Sequence, residues 1–327
     1  MYPRLIQIPL PFEVFGIDTI TIYSFGAMMA VAFLVAAWIS RIELDRLYKA
    51  GRIKGVRVPA PEKTGKKEKA GKKSKKGKKR VVLKEVSPSY LVGTLTIVAV
   101  VGGIVGAKLF HILENLGDFF NDPLGMIFSV GGLTFYGGLI VAALSISWYV
   151  RKNGLSLPVF ADAALPTVLL AYGIGRIGCH LAGDGDWGIP ANPNARPDFV
   201  PTWLWAETYP NNILERTLPE TGVYPTSLYE FGMCLVLFGI LWALRKHPFK
   251  AGWLFSLTLI FFGVERFLIE QIRVNNTFDL FGLVLTQAEI ISVILIALGV
   301  FGLVRTTKKR TAEPSKGPQP EVASSAA

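Results

Sequence analysis

Cysteine is nearly absent from this chain. There are two, Cys179 and Cys234, with no Cys-x-x-Cys pair, and both fall inside apolar runs. That argues against a structural disulfide and against a zinc site, and no metal site is expected. The N-terminus lacks a basic stretch and a small-residue cleavage site, so the first apolar run is expected to stay as a helix. Charge is missing over long stretches. Thr19–Ser40, Val86–Ala107 and Pro123–Val150 hold no charged residue. No internal repeat is visible, which removes a common mark of transporters.

What the chain does have is apolar side chain. Hydrophobic residues make up 51% of its 327 positions, and the mean hydropathy is +0.41. An ordinary soluble domain is less apolar than that. Four further runs, Leu157–Leu181, Ser227–Leu244, Ala251–Ile269 and Leu280–Val304, bring the expected spans to seven. Each can cross a hydrocarbon core of about 30 Å as a helix.

The net charge of +11 invites a nucleic-acid reading, but the placement of the cations opposes it. Lys and Arg number 18 in 40–89, two in 151–158, three in 245–250 and five in 305–327, so 28 of the 35 lie in alternate loops. With seven spans these loops share one face, which the positive-inside rule makes cytoplasmic. The N-terminus is then outside and the C-terminus inside. The Lys/Gly-rich insertion at 49–85 cannot bury a core and is expected to be disordered, as is the tail after Arg310. No aromatics interleave its lysines, so a solvated orientation signal near anionic lipid fits better than RNA, and no nucleic-acid partner is expected. The outer segment 184–224 holds Trp187, Trp203, Trp205 and Tyr209 and is expected to form an ordered cap at the interface.

Charged residues inside the apolar runs are few, and they cluster. Arg266, Glu270 and Arg273 stand at i, i+4 and i+7, on one helix face. Charge at membrane depth faces a bundle interior or an aqueous cavity, often a site. Arg266 follows Lys250 by sixteen residues, about 24 Å at about 1.5 Å per residue, near the outer boundary. Arg176 also precedes the outer segment. Tyr23 opens the first span, Lys108 and His111 close the second, Tyr136 opens the third and Glu230 the fifth. Polar groups from six helices are therefore expected at one outer depth. Plainer roles compete with a site. Arg266 and Glu270 make a structural pair, and Arg266 and Arg273 can snorkel. Ser227-Leu228-Tyr229-Glu230 matches a capping box after Pro225. The glycines around Tyr136 permit close helix packing. Two or three Arg with apolar walls suit an anionic lipid headgroup, because the planar fork matches phosphate oxygens. Elementary physics leads to an outer-leaflet phospholipid site and to no reaction.

The Gly-Arg-Ile-Gly…Gly-Asp…Trp-Gly segment at 175–188 resembles the signature of bacterial prolipoprotein diacylglyceryl transferases. So do Gly-Gly-Leu-Thr-Phe-Tyr-Gly-Gly at 131–138, Tyr-Pro-Thr-Ser-Leu-Tyr-Glu at 224–230 and Glu-Arg-Phe-Leu-Ile-Glu-Gln-Ile-Arg at 265–273. The likeness runs from Tyr23 to the last span, where Gln287 and Ser292 fit a Gln-x-x-x-x-Ser pattern. It implies transfer of a diacylglyceryl group from phosphatidylglycerol to the lipobox cysteine thiol of a preprolipoprotein, with glycerol phosphate leaving and no cofactor. It also implies catalytic roles for Arg176, Arg266, Tyr136 and Glu270. A substrate site would draw on Tyr23, Lys108, Gly137, Gly138, Asp184, Gly188, Tyr229, Glu230 and Arg273. Three departures stand out. Tyr136 replaces a frequent His, Cys179 replaces a usual Asn, and Gly185 is inserted between Asp184 and Asp186-Trp187-Gly188. The proton acceptor stays open among Tyr136, His180 and water acting on a thiol already acidified by the arginines.

The architecture expected is an all-α membrane protein of seven transmembrane helices over 1–310, in the bacterial inner membrane. Residues 49–85 form its cytoplasmic insertion, 184–224 a periplasmic cap between helices four and five, and 311–327 a disordered tail. A transporter fits less well, because charge sits at the outer end and not at the midplane. A non-catalytic lipid-binding relative is the other reading.

Overall fold

The computed structural model describes residues 1–14, 17–59, 83–129, 134–275, 277–280 and 283–308. Most of the lysine-rich insertion, Gly131 and Gly132, and the tail 311–327 lie outside the described residues. In chain order the elements are β1 (Arg4–Val14), β2 (Ile17–Tyr23), α1 (Ser24–Lys49), β3 (Val56–Pro59), β4 (Leu83–Val86), α2 (Val92–Glu114), α3 (Leu116–Asn121), α4 (Pro123–Phe128), α5 (Phe135–Lys152), α6 (Leu157–Ala182), α7 (Thr202–Trp205), α8 (Thr226–Leu244), α9 (Trp253–Glu270), β5 (Thr277–Leu280), β6 (Leu283–Thr286) and α10 (Gln287–Thr306).

The described chain is mostly helical. Five helices among the described residues are long and apolar enough to cross a membrane: α1, α2 with the turn leading into it, α6, α8 and α10. This is the pattern of a multi-pass membrane protein. The other two expected spans exist as 18-residue helices. They are less apolar because α5 ends in Arg151 and Lys152, and α9 carries Glu265, Arg266 and Glu270.

Three expected boundaries move. The first apolar run does not begin as helix, because Ile17–Tyr23 pairs with β1, placing Ile6 opposite Ile22 and Ile8 opposite Ile20. The stretch Ile-Thr-Ile-Tyr is rich in β-branched residues, which suits a strand, and α1 starts only at Ser24. The third run is broken, since α4 ends at Phe128 and α5 starts at Phe135. The last run opens with the β5–β6 hairpin. There Thr286 and Glu289 form a reciprocal capping box that starts α10. The insertion expected to be disordered over 49–85 is ordered at both flanks, where β3 and β4 pair antiparallel from Val56 with Val86 to Pro59 with Leu83.

The described residues divide into two compact units, those of Met1–Ser40 with residues 161–308 and those of Arg41–Phe160. In the first, Leu169, Cys234, Leu241 and Leu254 form a buried cluster lined by Tyr172, Phe261 and Phe262. Helices α9 and α10 approach closely through reciprocal glycines. A methyl on Gly263 would lie 2.7 Å from the Ser292 carbonyl oxygen, and one on Gly299 the same distance from that of Ser256. Asp162 accepts from the Gly252 and Phe255 amides at 2.8 Å, capping the start of α9. In the second unit α2 packs on α5, again through glycine: methyls on Gly137 and Gly138 would lie 2.6 and 2.8 Å from the Gly106 and Gly103 carbonyl oxygens.

Candidate active site

The site lies in the first unit, where α6, α8 and α9 and two loops bring three arginines around one acid. Glu230, in the first turns of α8, has a side chain only 1% exposed. Its carboxylate pairs with Arg176 Nε and lies 3.6 Å from Arg266 Nη1 and from Arg273 Nη1. Tyr172 Oη donates to it at 2.8 Å. The capping-box reading of Glu230 therefore fails. The N-cap of α8 is Pro225, with no side-chain cap bond, and the carboxylate is drawn to the cations instead.

Each arginine is fixed by its own element. Arg176 follows Tyr172 by one turn of α6, receives its ring at 4.8 Å and donates to its hydroxyl at 2.7 Å. Arg266 and Glu270 are neighbours on α9, with Nη2 and Oε2 2.8 Å apart. Asn275 Nδ2 holds the other Glu270 oxygen at 2.7 Å. Arg273 lies just past α9, its backbone bridged to Gly188. A methyl on Gly188 would come 2.6 Å from the Ile272 carbonyl oxygen, so glycine permits that bridge. Burial, and then the neighbouring Arg176 cation, hold the Arg273 guanidinium below its usual pKa range.

Three participants were not among the sequence candidates. Asp186 pairs with both Arg176 Nη1 and Arg273 Nη2. The signal was the inserted Gly185 between Asp184 and Asp186, and Gly185 takes a left-handed φ of 100° to make the turn. Tyr172 is the second, one turn before Arg176. The third is Glu265, fully buried, with neither carboxylate oxygen hydrogen-bonded among the described residues.

The remaining candidates separate. Asp184 accepts from the Asp186 amide at 3.3 Å. Tyr229 donates to the Leu204 carbonyl at 2.7 Å, tying α8 to the cap. Tyr23 ends β2, 46% exposed. His180 faces away from the arginines, its Nδ1 3.1 Å from Tyr209 Oη in the core of the cap. Burial pushes the Tyr209 hydroxyl well above its ordinary pKa. Tyr136, Lys108, Gly137 and Gly138 belong to the second unit. There Lys108 Nζ donates to the Ser129 carbonyl at 2.9 Å, and Tyr136 packs edge-on against Phe135. Cys179 Sγ and oxygens of Asp184 and Asp186 lie within 4.8 Å of one another. Two guanidinium groups already hold Asp186, so a metal cation there would meet strong repulsion.

Arg273 Nε is buried and donates no hydrogen bond among the described residues, whereas Arg266 Nη1 lies 3.6 Å from the Glu230 carboxylate. Residues 74–305 match the family of prolipoprotein diacylglyceryl transferases. The chain belongs to that family. It is 29% identical over 293 residues to the phosphatidylglycerol–prolipoprotein diacylglyceryl transferase of Clostridium tetani, covering 90% of this chain and 95% of that protein. The protein of the same name from Vibrio atlanticus is 34% identical over 69% of this chain and 76% of its own length. The Corynebacterium diphtheriae one is 31% identical over 65% and 77%. The family match covers every arginine of the site and leaves Tyr23 upstream of it.

Proposed function

We propose that this chain moves the diacylglyceryl group of phosphatidylglycerol onto the lipobox cysteine thiol of a preprolipoprotein. The observation that carries the reading is the trio of largely buried arginines gathered on Glu230, within a chain of this family. In the reaction the thiol gives its proton to water, a sulfur–carbon bond forms, the glycerol carbon–oxygen bond breaks and glycerol phosphate leaves. Charge develops on the phosphate oxygens as that bond breaks, and guanidinium donors fixed beforehand stabilise it. Arg176 and Arg266 hold the phosphate, Glu270 orients Arg266, and Arg273 adds a supporting contact. Asp184 and Gly188 shape the loop beneath, and Tyr229 and Glu230 set the start of α8. Tyr23 and Lys108 are assigned to the lipid and Gly137 and Gly138 to its approach on the motifs alone. On the same basis Tyr136 positions the donor by a hydrogen bond.

The setting we infer is the bacterial inner membrane, spanned by α1, α2, α5, α6, α8, α9 and α10, with the N-terminus and the cap periplasmic and the C-terminus cytoplasmic. The one-sided placement of the cations supports this orientation. The test is reconstitution with phosphatidylglycerol and a lipobox peptide, scored by mass. A peptide gaining one diacylglyceryl group is expected. An unmodified peptide beside folded protein that still binds phosphatidylglycerol would reduce the chain to a lipid-binding relative.

A further inference from the structure

Asp186 stands between two guanidinium groups, one carboxylate oxygen on Arg176 and the other on Arg273. Its side chain is 21% exposed, whereas those of Glu230 and Glu270 are each 1% exposed. It is therefore the acid of the cluster that an incoming ligand can displace. The main chain fixes its position independently of the ion pairs. Its carbonyl accepts from Thr226 Oγ1 at 2.9 Å and from Ser227 Oγ at 2.8 Å, and its amide donates to Asp184. Two carboxylate oxygens shared by two cationic forks reproduce what two phosphodiester oxygens would offer. The same N–H groups cannot serve both.

We propose that Asp186 is an internal competitor for the anionic headgroup: its carboxylate fills the anion subsite between Arg176 and Arg273 in the free protein and yields it when a phosphodiester arrives. The proposal rests on reading this site as the one that holds the donor phosphate. It gives the inserted Gly185, whose turn presents Asp186, a purpose. The bridge keeps two like charges from driving each other apart, and its return displaces the leaving glycerol phosphate. A site occupied by its own carboxylate for about nine-tenths of the time loses about tenfold in apparent affinity.

The experiment compares full-length wild type with Asp186→Asn in detergent. One arm titrates glycerol phosphate, and the other measures initial rates against phosphatidylglycerol with a lipobox peptide. The variant should bind glycerol phosphate about 3- to 10-fold more tightly and show a KM for phosphatidylglycerol lowered by a similar factor. Its kcat should fall as product release slows. An unchanged or raised KM, with glycerol phosphate bound no tighter, overturns the proposal, because a merely structural strut would give that result. If neither protein transfers lipid but the variant binds glycerol phosphate more tightly, the competitor stands and the transferase reading falls. Should the Asn variant not fold, Asp186→Ser carries the same expectation on the same anchored backbone. Failure of both to fold overturns the proposal.

Discussion

Glu230 holds the site together, and substitutions around it should separate stability from chemistry. It is buried and shared by three arginines and the Tyr172 hydroxyl. Removing one partner of a buried ion pair costs about 3–5 kcal/mol, because the other charge stays behind. Glu230→Gln is therefore expected to lower the thermal midpoint in detergent by several degrees and to lose activity with it. Arg266→Lys should behave differently. It keeps the cation beside Glu270 but gives up the planar fork. A charge-assisted hydrogen bond is worth about 1.5–3 kcal/mol, so turnover should fall by about 10- to 100-fold while the midpoint barely moves. Equal losses of activity and stability in that variant would make Arg266 structural. Arg266 and Glu270 were legible because helical spacing fixes which residues share a face, whereas Arg273, expected on that face, lies past the end of α9, and Arg176 joins them from α6. Asp186 was not, since its partners Arg176 and Arg273 meet it only through the fold and the left-handed turn at Gly185.

Helices were easier to read than their ends. A long run without charge marks membrane-facing chain, but a strand segment of isoleucine and threonine such as residues 19–23 lacks charge just as well. The runs at Thr19 and Leu280 therefore looked helical, although each opens as a strand. Packing between helices can be tested at glycine. Gly263 of α9 lies against the α10 backbone, where a methyl would meet the Ser292 carbonyl oxygen at 2.7 Å. Gly232 of α8 has nothing within 4 Å of that position. Helix propensity favours alanine over glycine by about 0.8–1.0 kcal/mol. Gly232→Ala should accordingly be neutral or slightly stabilising, and Gly263→Ala destabilising by about 1–3 kcal/mol from overpacking. Thermal unfolding of the pair checks the sign. A stabilised Gly263→Ala would show that α9 and α10 can part at little cost. The cap offers a milder case: Tyr209→Phe loses the bond to His180 and should cost about 0.5–1.5 kcal/mol, measured the same way.

At the scale of the whole molecule, the orientation proposed from the one-sided charge should survive loss of part of that charge. Thiol-reactive probes at Ser74→Cys and Asn194→Cys should label from opposite faces of the membrane, and labelling from one face would break the seven-span arrangement. The insertion itself is a sharper test. Pro59 and Leu83 are partners in the β3–β4 pair, so the ends of the lysine-rich segment already lie side by side. A two-residue Asn-Gly turn closes an antiparallel pair of this kind. Replacing 60–82 by Asn-Gly removes eleven cations but keeps Arg41, Arg46, Lys49, Arg52, Lys54, Arg57 and Lys84 close to the membrane. Residues close to the ends of the spans carry the orienting weight. The shortened protein should therefore insert the same way round and keep transferase activity within about twofold, a change of only about 0.4 kcal/mol in the barrier. Activity measured beside the two-probe labelling decides it. Correct orientation and a stable fold with lost turnover would assign the lysines a part in the reaction, which nothing in the arginine cluster requires.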